Sequence, residues 1–308
     1  MWSNFGVKRA EGWMSVVRMG DRIDLAHVVL PVGKRPEIRL CESFGVEGNE
    51  RDALSRLAQG KGLKRYRCTS LLGESQYRMA QLESPAVPAE ERVQALRWRL
   101  KDMVDFPVDG AAIAVADIPT EGTRQANVFA IIAPKSAVAE QMVSFHEAKV
   151  PLEAIDIPEM AVRNVAALFE EPNRGLAFLV MQTGESLLTI TYGGELYLSR
   201  RIEVSAQSLA DADVERRQQM LERLALELQR TLDNFDRQYG FISVSRLLVS
   251  SEFDTDGTVA ALAQNLYLPV QAADLSKVAE FSGIPELRSS ERQAQSLLAI
   301  GAALRNDA

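Results

Sequence analysis

Residues 175–204 constrain this chain more than any other stretch. They hold three short apolar runs, 176–181, 187–192 and 196–204, split by Thr183-Gly184-Glu185-Ser186 and by Gly193-Gly194. Runs this short, rich in Leu, Ile, Val and Tyr and bounded by glycine, read as strands joined by tight hairpins. The chain must therefore place a three-stranded meander near its middle.

A second copy lies near the N-terminus, at residues 14–44. It can be laid on the central meander with Gly20 over Gly184. Both copies show apolar residues, a glycine, an acidic residue (Asp21, Glu185) and a second strand. A repeat separated by about half the chain points to two related lobes facing a cleft. The residues alone leave open a second reading, two unrelated hairpins in an ordinary α/β protein.

With 308 residues, one large or two medium domains are expected. A composition of 46% apolar and 25% charged residues is that of a globular chain. The net charge of −7 argues against a sequence-independent nucleic-acid binder. Cys41, Cys68, His27 and His146 are the only residues of their types and show no metal-ligand spacing. No metal site is expected, the thiols read as buried and reduced, and His146, near a helix end, reads as structural. Residues 1–9 lack the apolar core of a signal peptide. No run approaches ~18 apolar residues, so no membrane span is expected and the chain reads as cytoplasmic.

Along the chain, 49–59 reads as a short helix and 60–65 as an exposed basic connection. Segments 66–72 and 76–83 read as a hairpin across Gly73-Glu74-Ser75. Pro88 suits a helix start, with Glu90 and Glu91 at its positive end. That helix is expected to run to about Val104, where Phe106-Pro107 stops it. Val93, Leu96, Leu100 and Met103 or Val104 share its apolar face, which puts Trp98 on the opposite side, about 140° from Val93. A tryptophan on a polar face is a candidate partner contact. Strands at 111–118 and 127–133 flank a polar loop at 119–125, and a helix follows at 136–149. Then come a strand at 152–157, a helix at 158–169 and a linker at 170–175. In the second half, 210–238 carries one apolar stripe through Leu221, Leu224, Leu228, Leu232, Phe235 and Tyr239. It is too short in clean heptads for a coiled coil. Strands at 242–250 and 270–273 and helices at 258–265 and 292–304 complete the chain.

Several segments resemble the PilM family of type IV pilus biogenesis proteins, most closely its MshI branch, which serves mannose-sensitive (MSHA) pili. They are Thr69-Ser-Leu-Leu-Gly-Glu, Arg78-Met-Ala-Gln-Leu-Glu-Ser-Pro, Leu96-Arg-Trp-Arg-Leu-Lys-Asp-Met-Val-Asp-Phe-Pro-Val-Asp, Glu153-Ala-Ile-Asp-Ile-Pro-Glu, Leu226-Glu-Leu-Gln-Arg-Thr-Leu-Asp-Asn-Phe and Leu298-Ala-Ile-Gly-Ala-Ala-Leu-Arg. The resemblance runs from about residue 14 to 305. It implies an α/β, actin-like two-lobe (RNase H-like) ATPase fold, in which each half opens with a meander. The first lobe would span 1–174 with a small α/β insert at 66–149, and the second 175–308. It implies a cytoplasmic, non-enzymatic scaffold at the inner membrane, binding the cytoplasmic tail of a PilN-like bitopic partner in a groove beside the insert. Other pilus-platform proteins, and the machine's motor ATPase, come into view as further partners. The cytoplasmic domain of a type II secretion platform protein shares the fold but leads into a membrane helix, and none follows Leu304.

Nucleotide-binding members of such a family carry an Asp two residues before each hairpin glycine. Carboxylates hold Mg²⁺ there, while N–H and hydroxyl groups hold phosphates. Here Arg18 stands two residues before Gly20, and Gln182 two before Gly184. Only Thr183, Gly184 and Ser186 keep phosphate-binding character. The adenosine-side turn, expected to be small and glycine-rich, is Ser250-Ser251-Glu252-Phe253. The nucleotide site is thus expected to be degenerate, without ATP as a cofactor. The alternative is an ATP-binding or ATP-hydrolysing switch of the same machine. A small-molecule enzyme of another kind finds no Ser/His/Asp or Cys/His set to support it.

Overall fold

A computed structural model describes residues 9–120 and 125–306. The first meander is β1 (Trp13–Met19), β2 (Arg22–Val29) and β3 (Glu37–Gly45). There follow α1 (Glu50–Gly60), β4 (Arg67–Leu71), β5 (Arg78–Glu83), α2 (Ala89–Leu100), β6 (Ala111–Ile118) and β7 (Asn127–Pro134). Then α3 (Lys135–Glu147), β8 (Leu152–Asp156) and α4 (Pro158–Ala167) lead to the central meander, β9 (Gly175–Met181), β10 (Ser186–Tyr192) and β11 (Glu195–Ile202). The chain ends with α5 (Ala206–Asp211), α6 (Val214–Gln238), β12 (Val244–Ser251), α7 (Thr255–Ala263), β13 (Val270–Ala272) and α8 (Ser290–Ala303). The expected loop at 119–125 lies largely outside the described residues.

Two five-stranded sheets have the orders β3-β2-β1-β4-β8 and β11-β10-β9-β12-β13. Counted from the start of each meander, both run third, second, first, fourth, fifth. In each, the fourth strand lies parallel to the first, with Met14 opposite Cys68 and Phe178 opposite Leu248. The internal repeat read from two glycine-centred hairpins is thus a repeat of topology. An α/β chain with this duplicated sheet has the actin-like fold.

By contacts the chain divides into two compact units, 1–23 with 44–158 and 24–43 with 159–308. In the first unit the Asn49 side chain caps α1, accepting from Arg51 N at 3.0 Å. A third, antiparallel sheet of order β5-β7-β6 lies within this unit. Leu96 and Leu100 of α2, fully buried, pack on it with Val108, Val128, Ala130 and Ile132. The helix stops at Leu100 and yields to a single tight turn at 101–103, earlier than the apolar spacing predicts. Met103 therefore emerges 48% exposed instead of extending the buried stripe.

Two readings of the sequence are corrected here. β4 and β5 do not form a hairpin. Both edges of β4 are taken in parallel by β1 and β8, so the turn after Leu71 delivers β5 to β7 in the small sheet. The expected single helix at 210–238 is two, α5 and α6. Asp213 breaks it with extended backbone, and its side chain accepts from Arg216 N at 2.8 Å to start α6.

The second unit holds the larger core. Every residue of β9 is buried, and α6 buries Leu224, Leu228, Leu232 and Phe235. Tyr197 packs edge-on against Tyr239, with ring centroids 5.4 Å apart. Cys41 and Cys68 are both free and buried, as read from their number. Burial, with a smaller push from the charge on Glu153, raises the Cys68 thiol to about 12.

Candidate functional site

The structure gives the two glycine-bearing hairpins different turns. Between β1 and β2 only Gly20 and Asp21 remain outside the strands. Gly20 takes φ +61°, a conformation open to glycine at little cost. Arg18, at the exposed end of β1, folds back on this turn, and its Nε donates to Gly20 O at 3.1 Å. A two-residue turn offers few backbone N–H groups to an anion, and this one meets a guanidinium from its own chain.

The second hairpin has a longer turn, residues 182–185. Because β12 runs parallel beside β9, with Ser250 opposite Val180 and Ser251 opposite Met181, the turn after β12 lies against it. Within this unit the structure thus brings together the residues singled out in sequence, Gln182, Thr183, Gly184 and Ser186 with Ser250 and Ser251. Glu252 N donates to Met181 O at 3.1 Å and fixes the two turns to each other.

Two of the serine hydroxyls face inward. Ser186 is fully buried and donates to Val204 O. Ser251, also fully buried, donates to Phe253 O at 2.6 Å and accepts from Phe253 N at 3.2 Å. Ser250 is buried, and the Gln182 Nε2 is a buried donor with no partner among the described residues. Thr183, exposed, donates its hydroxyl to Glu252 Oε2 at 2.8 Å. The phosphate-like acceptor at Thr183 is therefore a carboxylate of the protein.

A second carboxylate, Glu185, sits in the same turn. Arg201 of β11 grips it through Nη1 and reaches the buried Glu159, at the start of α4, through Nη2 at 2.9 Å. Sequence reading chose the serines and missed Glu185, Glu252, Glu159 and Arg201. Their pairing depends on β11 and α4 passing close to the turn, which no local pattern announces.

The first unit holds a cavity of about 510 Å³ between the β1–β2 hairpin, the end of β4 and one face of α3. Val16, Ile23, Leu54 and Phe145 supply apolar lining, with Glu140 and Arg18 among its polar groups. Gln141 anchors α3 here, donating from Nε2 to Ser70 Oγ at 2.7 Å and to Leu71 O at 3.1 Å. Ser70 in turn donates to Val16 O at 2.7 Å. Only Arg18 and Gly20 of the sequence-chosen residues line this cavity; α3 was not singled out, since nothing in its spacing marks it.

Trp98 lies where its helical position put it, away from the apolar face and 76% exposed. It lines a separate groove of about 600 Å³ with Arg97, Lys101, Phe106 and Pro107. Arg97 donates to the carbonyl of Val108, another lining residue. Among the described residues no group of His, Cys, Asp and Glu is arranged to hold a metal ion, and no helix is long and apolar enough to cross a membrane.

No protein-family model matches this chain, and no curated protein matches it. Solved structures do. A chain of the PilM–PilN type IV pilus biogenesis complex is similar over 96% of this chain and 98% of its own, with a TM-score of 0.73 and 19% identity. A Bacteroides thetaiotaomicron protein with an actin-like ATPase fold and unknown function covers 92% and 95%, with TM-score 0.52 and 10% identity. The cytoplasmic domain of EpsL, an inner-membrane component of the type II secretion system of Vibrio cholerae, covers 96% and 97%, with TM-score 0.50 and 13% identity. At these identities the likeness is one of fold, and that fold is actin-like.

Proposed function

We propose that this chain is a PilM-like scaffold of a type IV pilus assembly platform, cytoplasmic and held at the inner membrane by a PilN-like bitopic partner whose tail it binds. The observation that carries the reading is the full-length likeness to a chain of the PilM–PilN complex, stronger in TM-score than that to the EpsL domain. The quoted segments between residues 69 and 305 favour the MshI branch and MSHA-type pili. The cavity between the first hairpin and α3 is the natural seat for the tail, since it combines an apolar floor with polar groups at the edge. Trp98, exposed beside a second groove, is the contact proposed for another platform protein.

The same reading holds the scaffold to be non-enzymatic, with a nucleotide site that has lost its ligands. Its support is the two-residue turn at Gly20, the inward hydroxyls of Ser186 and Ser251, and the carboxylates at Thr183 and Glu185. The test is co-expression with the PilN-like protein. Co-purification is expected, and it should be lost when the partner's cytoplasmic tail is deleted. Co-purification that survives the deletion overturns the tail-binding reading. Trp98→Ala should leave the tail complex intact and weaken capture of another platform protein.

A further inference from the structure

We infer that Glu140 makes the cavity of the first unit selective for a cationic side chain on its occupant; this rests on the tail-binding reading above. α3 carries two glutamates, Glu140 and Glu147. Glu147 is engaged by Arg51 of α1 at 3.1 Å. Glu140 is exposed, lines the cavity, and has no hydrogen-bond or ion-pair partner among the described residues. It does nothing to hold α3, because Gln141 and Phe145 on the same helix already bind the sheet and fill the core.

One other charged side chain lines the cavity. Arg18, the cation on the cavity wall, is bent onto its own turn through Gly20 O. The segment across from α3, Gly73 with Ser75 and Gln76, contributes neutral groups, and the Gln76 carboxamide oxygen is taken by Gly73 N at 2.7 Å. An occupant entering this cavity therefore meets one unpartnered carboxylate, Glu140, beside apolar lining, with the Arg18 guanidinium held back on the hairpin.

The occupant's chemistry follows from where it comes from. Cytoplasmic segments beside a membrane span carry an excess of Lys and Arg. Such a tail offers a cation near any apolar residue it inserts, and a guanidinium can meet a carboxylate through two parallel hydrogen bonds. The chain's net charge of −7 adds long-range attraction in the same sense.

The experiment measures affinity by fluorescence anisotropy for a fluorescein-labelled peptide of the PilN-like protein's cytoplasmic tail, at low and high salt. The proteins are the full chain, Glu140→Gln, Glu140→Lys, and Glu91→Gln as a surface control outside the cavity. Glu140→Gln should weaken binding about two- to fivefold and flatten its salt dependence, as expected for loss of one solvent-exposed ion pair. Glu140→Lys should weaken it further and recover binding to a peptide whose Lys and Arg are replaced by Glu. Glu91→Gln should bind as the parent does. Tail binding that is unchanged in both Glu140 variants overturns the charge selection and leaves the scaffold reading standing. A parent protein that does not bind the tail at all removes both.

Discussion

Gly301 decides how closely α8 approaches α4 in the second unit. A β-carbon there would stand 2.2 Å from Ala161 O and 2.7 Å from Ala161 C, both backbone atoms that cannot turn aside. The same approach lets Asn164 Nδ2 donate to Gly301 O at 2.9 Å. Gly301→Ala gains roughly 1 kcal/mol in helix propensity but must push two helices apart, an overpacking cost of about 1–3 kcal/mol or more. The clash wins at this separation. The expected outcome is a lower urea midpoint with an unchanged slope. Gly283→Ala is the control: its β-carbon meets nothing within 4 Å, and its midpoint should stay put. An unshifted midpoint for Gly301→Ala would mean the helices sit farther apart than described.

At the scale of elements, the β5-β7-β6 sheet with α2 is a small unit with a small core of its own. Leu100 is fully buried among Leu96, Val108, Val128, Ala130 and Ile132. Leu100→Ala should cost about 2–5 kcal/mol, because it opens a cavity among side chains that pack on it from both the sheet and the loop after α2. Hydrogen exchange should then speed up in β6 and β7 while β9 and β10 keep their protection. Acceleration spread evenly over both sheets would show that this unit does not open by itself. Much of it was legible in sequence: short apolar runs on either side of a polar loop gave β6 and β7, and Pro88 with two glutamates gave the start of α2. The partner of β5 was not legible, because strand pairing depends on which edges remain open and β4 had none. The break at Asp213 was hidden for a related reason, since one capping aspartate outweighs a leucine stripe that looks continuous. In the candidate site the glycines and serines stood out by type, whereas Glu252 and Arg201 acquire meaning only when β12 and β11 are in place.

For the whole molecule, the same strand order occurs in two sheets, yet the two glycine hairpins no longer share a turn. On the proposed reading, the protein does not bind Mg-ATP at cellular concentrations. An Mg²⁺-nucleotide site needs carboxylate oxygens for the metal and backbone N–H groups with hydroxyls for the phosphates. The turn of the first hairpin supplies one carboxylate, Asp21, and no hydroxyl. That turn is two residues long and is met by Arg18 from the end of β1, which keeps its charge at neutral pH and cannot replace a metal ligand. The second hairpin supplies the wrong charge, because phosphate oxygens approaching Thr183 would meet Glu252, and Glu185 stands two residues further along. Two like charges a few ångströms apart repel by about 1 kcal/mol in water and several times that in a sheltered site. Calorimetry with ATP, with and without Mg²⁺, should therefore give no measurable heat of binding at micromolar nucleotide. Weak, metal-independent binding would point to Arg18 holding phosphate directly, and it should vanish in Arg18→Ala. Micromolar affinity that requires Mg²⁺ would sink the degenerate-site reading and promote a nucleotide-gated switch. Glu252→Ala separates a blocked site from a lost one: if affinity for ATP then appears, the carboxylate alone was the obstacle. Continued silence is the expected result, because the buried Ser186 and Ser251 hydroxyls and the short Gly20 turn would still be missing as ligands.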